Sequence, residues 1–191
     1  KQQMNIFNLS LLSFAFGTFL IGLLVFLRRQ DVVGRKWFLF SITASIWGFF
    51  EALWMNNLWD RNTSLVWMRM CHVGAIFIPS AWLDFIHCFL DLKARKQRVL
   101  YAAYIFAFML APLQLSDLFL RPPRAYKYFF NYYATAGPLY HIFTLLFFVC
   151  VIYGFIETIR EFQLTTGARR EQIKYLIWGT GIGFFGGSLT F

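Results

Sequence analysis

Long apolar segments separated by short polar stretches are the dominant pattern of this chain. They cover about residues 5–27, 37–58, 65–90, 99–119, 138–159 and 173–191. A helix of about 20 residues, rising about 1.5 Å per residue, crosses the roughly 30 Å of hydrocarbon in a bilayer. The pattern therefore predicts an all-α polytopic transmembrane helix bundle with five complete spans and a sixth span cut at the C-terminus.

The segments together predict a single membrane domain over residues 1–191. The chain begins with Lys1 rather than Met and ends inside an apolar segment, so we expect a truncated part of a longer protein. The first segment is long enough to span and is not followed by a small-residue cleavage site, which disfavours a secretory signal peptide.

The connections between the segments differ in charge, and this difference predicts an orientation. The second connection has only Arg61, which is next to Asp60. By contrast, the first, third and fifth connections contain Arg28, Arg29, Arg35 and Lys36; Lys93, Arg95, Lys96 and Arg98; and Arg160, Arg169, Arg170 and Lys174. Because Lys and Arg are retained on the cytoplasmic side, the odd-numbered connections are predicted inside and the N-terminus outside.

Composition supports a membrane protein and argues against nucleic-acid binding. The chain is 59% hydrophobic and 14% charged, and such values are unusual for soluble domains. Twelve of the 18 basic residues lie in the three predicted inside connections. The net charge of +9 is thus better explained by topology and contact with anionic lipid than by a nucleic-acid surface.

No catalytic, metal or cofactor motif is found. The three cysteines, at positions 71, 88 and 150, lie in apolar segments without CxxC spacing and are predicted to be small buried hydrophobic residues. His72 and His141 differ in height by roughly 6 Å, which disfavours haem ligation by both. No complete segment has an interior Lys for a retinal Schiff base.

Ionisable residues inside the segments form two predicted layers, since such residues usually face the interior of a bundle. Glu51 is roughly 21 Å from the inner end of its segment, and His72 is roughly 10 Å from the outer end of the next segment. In a hydrocarbon layer of roughly 30 Å these positions have similar heights. Arg69 lies one turn above His72. We predict a buried pair of Glu51 with Arg69 or His72, which His141 could join. The layer is either a structural ion pair that fixes helix register or the floor of an outward-facing ligand site.

The second layer is predicted near the inner face. Asp84 and His87 are three residues apart and share a helix face, and Glu157 with Arg160 falls at a similar depth. These residues form either an interfacial polar network or a relay that passes movement to cytoplasmic parts.

Two further stretches leave alternatives open. The loop of about residues 116–137 has Pro122 and Pro123 followed by many aromatic residues, which predicts either an interfacial anchor or a lid over a site. The sixth segment carries Gly179, Gly183 and Gly187, whose four-residue spacing favours close helix packing within the bundle or, alternatively, a dimer seam.

Several short motifs resemble a known family. Two stretches resemble helices of one sensor region. The third helix of that region is similar to residues 67–85 (WMRMCHVGAIFIPSAWLDF), and its sixth helix is similar to residues 170–175 and 181–188. That region is the N-terminal seven-helix region of bacterial membrane histidine kinases, also found ahead of diguanylate cyclases. Asp84 stands where the family commonly has His. The resemblance implies a sensory domain of the bacterial cytoplasmic (inner) membrane and carries over no catalytic residue.

The sequence thus predicts a non-catalytic membrane input module of a histidine kinase or cyclase. The expected partners are the lipid bilayer, a small or lipid-like ligand, and a second copy or other integral membrane subunits. The alternative is an accessory or scaffold subunit of a larger membrane complex. A transporter is less well supported, because no inverted repeat is visible.

Overall fold

The computed structural model describes residues 6–55, 59–92, 96–127 and 130–188. Within these ranges the elements are α1 (Ile6–Arg28), α2 (Val32–Trp54), α3 (Arg61–Phe89), α4 (Gln97–Leu113), β1 (Leu120–Lys127), β2 (Phe130–Ala136), α5 (Pro138–Leu164) and α6 (Gly167–Ser188). The helical bundle predicted from the sequence is confirmed. The stretch between α4 and α5 is different, since it forms an antiparallel β-hairpin that the sequence did not predict.

Four helices in the described ranges are long and apolar enough to cross a membrane, namely α1, α2, α3 and α5. Helix α4 is shorter, with 17 residues. Helix α6 begins with a charged turn that contains Arg169, Arg170, Glu171 and Lys174. The chain is therefore an integral membrane protein.

Two helices begin earlier than their apolar segments because an aspartate caps each of them. Asp31 accepts a hydrogen bond from the backbone N–H of Gly34 at 2.8 Å, so α2 starts at Val32 and includes a basic first turn. The Arg29 side chain donates to the same carboxylate at 2.7 Å and lowers the pKa of Asp31. Asp60 caps α3 in a similar way.

Helix α4 ends at Leu113, before the end of the fourth apolar segment near Phe119. Pro112 lies one residue before this end and has no N–H for the helical ladder. The chain then turns, and the backbone N–H of Phe119 donates to the carbonyl of Ser116. The last apolar residues of the segment thus belong to the connection between α4 and the hairpin and not to a helix.

Helix α3 is the centre of the bundle. It contacts α2, α4, α5 and both strands, whereas α1 packs on α2 and α6 packs on α5. The α2–α3 contact is very close at Gly74, where an added Cβ would lie 2.6 Å from both the Thr43 carbonyl oxygen and the Trp47 backbone nitrogen. Because one helix touches most of the others, a displacement of α3 changes several interfaces at once.

The hairpin packs against the same ends of α3 and α5. Its strands pair antiparallel, with Leu120 opposite Ala136, and the register shifts between Arg121 and Arg124. This irregularity spans the Pro-Pro pair, which cannot donate to a regular ladder. The side chains of residues 123–131 and of residue 134 lie outside the described part, so the predicted aromatic anchor or lid is described only through Tyr132 and Tyr133, which pack against the core.

Candidate functional site

A buried carboxyl group lies between α2 and α3. Glu51 is only 5% exposed. Its Oε2 accepts hydrogen bonds from the indole Nε1 of Trp54 at 2.9 Å and from the thiol of Cys71 at 3.0 Å. No Lys, Arg or His of the described residues forms an ion pair with it. We call Glu51, Trp54 and Cys71 the outer cluster.

The other predicted residues of this layer lie elsewhere. Arg69 pairs with Asp117 at 3.0 Å, which ties α3 to the connection before the hairpin. His72 uses Nδ1 to donate to the Met68 carbonyl at 2.7 Å. His141 is exposed on α5. The predicted pair of Glu51 with Arg69 or His72 is therefore not formed.

His72 lies in an aromatic environment under the hairpin. Its ring centroid is 5.5 Å from those of Phe119 and Tyr140 and 6.3 Å from that of Phe143. Phe119 and Phe143 are fully buried. These contacts connect α3 with α5 and with the connection that leads into β1, so the hairpin and the two helices share one packed region.

Two ion clusters link the helices at the end of the bundle away from the hairpin. In the first, Asp84 of α3 accepts from the Lys36 ammonium of α2 at 2.7 Å and from the Tyr104 hydroxyl of α4 at 2.9 Å. The sequence had pointed to Asp84 but not to these partners. Lys36 lies in the basic first turn of α2, and its long side chain carries the ammonium to the Asp84 carboxylate while remaining 34% exposed.

The second ion cluster links α4 to α5. Glu157 is 5% exposed and pairs with Lys96 and with Arg160, the latter at 3.4 Å. The predicted neighbours Glu157 and Arg160 are thus in contact, and Lys96 is a partner that the sequence did not reveal. His87 lies near both clusters and is 6% exposed, and neither ring nitrogen has a hydrogen-bond partner among the described residues.

Helix α6 is joined to this end of the bundle through two arginines. The Arg169 guanidinium donates to the Phe89 carbonyl at the end of α3 and lies 4.2 Å from the centroid of the Phe89 ring. Arg170 lies 4.6 Å above the ring of Phe162 in α5. Such cation–π contacts hold the start of α6 against α3 and α5.

An apolar groove of about 330 Å³ lies between α6 on one side and α1 with α2 on the other. Residues of α3 and α5 complete its wall, and none of the lining residues is charged. We call it the α6 groove. Its lining residues are Phe14, Thr18, Ile21, Trp37, Phe40, Ser41, Ala44, Trp47, Ala75, Ile78, Phe147, Tyr175, Leu176, Gly179, Thr180, Gly183, Phe184 and Gly187.

The three glycines that predicted close helix packing all line this groove. A Cβ added at Gly179 or Gly183 would meet no atom within 4 Å, and one at Gly187 would touch only the Trp47 ring at 3.6 Å. Within the described residues, no backbone atom of a neighbouring helix lies within 4 Å of a Cβ added at these glycines.

The described part of the chain thus contains a buried acid, two ion clusters and an apolar groove. The cysteines are unpaired thiols, of which Cys71 and Cys150 are buried and Cys88 is half-buried. In the part of the chain that the structure describes, no group of three or more His, Cys, Asp or Glu residues could hold a metal ion.

The comparisons with known proteins identify one family. The family model of the N-terminal 7TM region of histidine kinase matches residues 10–191, which confirms the resemblance found in the sequence. No significant match was found among curated proteins or among solved structures.

Proposed function

Because this chain belongs to the family of the N-terminal 7TM region of histidine kinases, we propose that it is the non-catalytic sensory input module of such a kinase in the bacterial cytoplasmic membrane. The membership implies a membrane sensory role. The contacts of α3 support a sensing site and a route for the signal.

The proposed orientation places the outer cluster and the hairpin outside the cell. Twelve basic residues lie in the α1–α2, α3–α4 and α5–α6 connections and the turns that adjoin them. The remaining six belong to the other side in this proposed threading, namely Lys1, Arg61, Arg69, Arg121, Arg124 and Lys127. This asymmetry favours an inside location for the ion clusters of Asp84 and Glu157.

A single helix carries both polar layers, and this observation supports the proposal most strongly. Cys71 of α3 touches Glu51 in the outer cluster, and Asp84 of α3 binds Lys36 in the inner ion cluster. The two positions are 13 residues apart, or about 20 Å along a helix. A shift or rotation of α3 at the outer end therefore changes ion pairs at the inner end.

The proposed mechanism is a change in the population of two packings of the bundle. A small or lipid-like ligand that reaches the region of Glu51 and His72 binds one packing better than the other. It can shift the equilibrium only by this difference in affinity. The inner ion clusters and the Arg169 contact then transmit the new position of α3 to α6 and to the kinase that follows.

The test measures autophosphorylation of the full-length kinase in membrane vesicles. Glu51→Leu removes the acceptor of the Trp54 and Cys71 hydrogen bonds, so we expect the basal rate to change by about five-fold or more, a typical size for coupling between sites. Glu171→Leu is the matched control, because Glu171 is 55% exposed and its one ion pair among the described residues is with Lys174.

Both variants must be inserted in equal amounts, which is checked by quantitative immunoblotting of the vesicles. A basal rate of the Glu51→Leu kinase equal to that of the Glu171→Leu kinase would remove the outer cluster from the signalling route.

A further inference from the structure

The His87 imidazole is buried near the end of α3 without a hydrogen bond. The residue is 6% exposed, and among the described residues neither Nδ1 nor Nε2 has a hydrogen-bond partner. His72 of the same helix differs, because its Nδ1 donates to the Met68 carbonyl at 2.7 Å, which fixes the tautomer and the orientation of that ring. A buried ring without either bond needs an explanation, since most buried polar groups are hydrogen-bonded.

Two ion pairs from four helices surround this ring. Asp84 lies one turn before His87 on the same face of α3, and Glu157 of α5 interacts with His87 electrostatically. Each carboxylate already binds a lysine, Lys36 of α2 in one pair and Lys96 at the start of α4 in the other. The charged and titratable groups of this region are Lys36, Asp84, Cys88, Lys96, Tyr104, Tyr153, Glu157, Arg160 and, at the Phe89 carbonyl, Arg169 of α6.

Influences of both signs act on the charge of the ring. Burial and the Lys96 ammonium oppose a positive charge, whereas Asp84 and Glu157 favour it. His87 also lies in the last turn of α3, where the unpaired carbonyl groups of a helix favour a cation. Histidine is the side chain whose unperturbed titration falls between about pH 5 and pH 8, and opposing influences keep proton exchange near this range.

We infer that His87 is a proton-binding switch at the inner end of the bundle, which in its protonated form bridges Asp84 of α3 and Glu157 of α5. The inference rests on the proposed function in one respect, because it takes this end to face the cytoplasm. It adds a pH input from the cytoplasmic side to a module whose outer cluster receives the ligand.

Proton uptake changes which helices are joined at this end. The neutral ring has one N–H donor, and a proton taken from water gives it a second. The protonated ring then donates to Asp84 and to Glu157 and competes with their lysines. Lys36 and Lys96 are 34% and 39% exposed and can turn towards water, which the buried ring cannot do. An α3–α5 bridge thus replaces the α2–α3 and α4–α5 ion pairs.

Proton binding is measured directly by NMR of the 191-residue chain in lipid nanodiscs with ¹⁵N-labelled histidine. The chain has three histidines, and single replacements of His72, His87 and His141 by glutamine assign their signals. We expect the His87 ring to change from neutral to protonated as the pH falls from about 8 to about 5. Asp84→Asn removes one of the two anions, so the midpoint should move to lower pH by about one unit or more.

Two NMR results would overturn the proposal. A His87 ring that stays neutral down to about pH 5 would show that its surroundings, for example a buried water, hold the uncharged form. A midpoint that is the same in the Asp84→Asn chain would exclude the bridge to this carboxylate. Both readouts use chains that retain His87, so they do not depend on the folding of a His87 variant.

The regulatory consequence is measured as autophosphorylation of the full-length kinase in membrane vesicles at about pH 6 and about pH 7.5. His141→Gln is the matched control for His87→Gln, because His141 is exposed on α5. We expect the ratio of the two rates to differ about five-fold between the variants, a typical size for coupling between sites.

Equal ratios for the two variants would overturn the switch even if His87 binds a proton. The NMR titration does not depend on kinase output, and neither measurement changes Glu51. Failure of this inference is therefore separate from failure of the outer cluster as the sensing site.

Discussion

Replacement of Gly74 by alanine is expected to lower the free energy of unfolding by about 3 kcal/mol, the upper end of the usual cost of overpacking. The added Cβ would lie 2.6 Å from the Thr43 carbonyl oxygen and from the Trp47 backbone nitrogen. Both of these atoms belong to the backbone of α2 and cannot rotate away. Helices α2 and α3 would have to separate, which would loosen the most extensive helix contact of the bundle.

Gly17→Ala is the matched control, because an added Cβ at this position of α1 meets no atom within 4 Å. It should leave stability unchanged or raise it by up to about 1 kcal/mol, since alanine favours helix more than glycine does. Reversible unfolding in mixed detergent micelles, followed by circular dichroism, gives both values. Equal stabilities of the two variants would show that α2 and α3 do not approach closely at Gly74.

Replacement of Asp84 by leucine is expected to lower the free energy of unfolding by about 2–3 kcal/mol. The substitution removes the acceptor for the Lys36 ammonium and the Tyr104 hydroxyl, and an unpaired buried charge is more costly than the loss of one contact. We expect this loss in the free energy of unfolding to be smaller than the usual 3–5 kcal/mol for breaking a buried pair, because Lys36 is 34% exposed and can turn partly towards water.

A double-mutant cycle isolates the pair. Adding Lys36→Met to Asp84→Leu should restore about 1–2 kcal/mol, since the stranded cation is then removed. The exposed pair of Glu171 and Lys174 serves as the comparison, and its cycle should give less than about 0.5 kcal/mol. Additive effects of the Lys36 and Asp84 substitutions would contradict a direct interaction between them.

The sequence predicted the helices of the bundle well, but some of their ends less well. Apolar length alone identifies a span, because a membrane helix must satisfy its backbone internally. It does not show where a helix extends into polar residues. Helix α2, for example, begins at Val32, directly after the Asp31 cap. The hairpin was missed for a different reason. Its Pro-Pro pair disfavours a regular strand, yet the strand accommodates the pair at the register shift after Arg121.

The hydrogen-bond and ion-pair partners of Glu51 and Arg69 were not predicted from the sequence. Counting residues along a helix gives the height of Glu51 and of Arg69, but the direction in which each side chain points depends on helix rotation and tilt. The structure turns Glu51 towards Cys71 and turns Arg69 towards Asp117. The spacing of Glu51 and Trp54, three residues apart on one helix, was the signal in the sequence that could have revealed one partner.

The ion clusters of Asp84 and Glu157 and the α6 groove depend on tertiary packing. Lys36 and Lys96 were assigned to basic connections, because nothing in their local sequence shows that they reach Asp84 and Glu157. The groove arises from the spacing between α6 and the pair of α1 and α2, which no local pattern specifies. The glycine spacing of α6 predicted a packing surface, and in the described residues these glycines line the groove.

The central claim is tested most directly by measuring on which side of the membrane each connection lies. A sensor with an outward-facing site requires Asn62 outside and Val32 inside. Single cysteines replace Val32, Asn62 or Thr166 in a Cys88→Ser background, in which the remaining cysteines, Cys71 and Cys150, are buried. Intact spheroplasts are treated with a membrane-impermeant maleimide. We expect labelling at position 62 without lysis and at positions 32 and 166 only after lysis. Labelling of positions 32 and 62 from the same side would contradict the account.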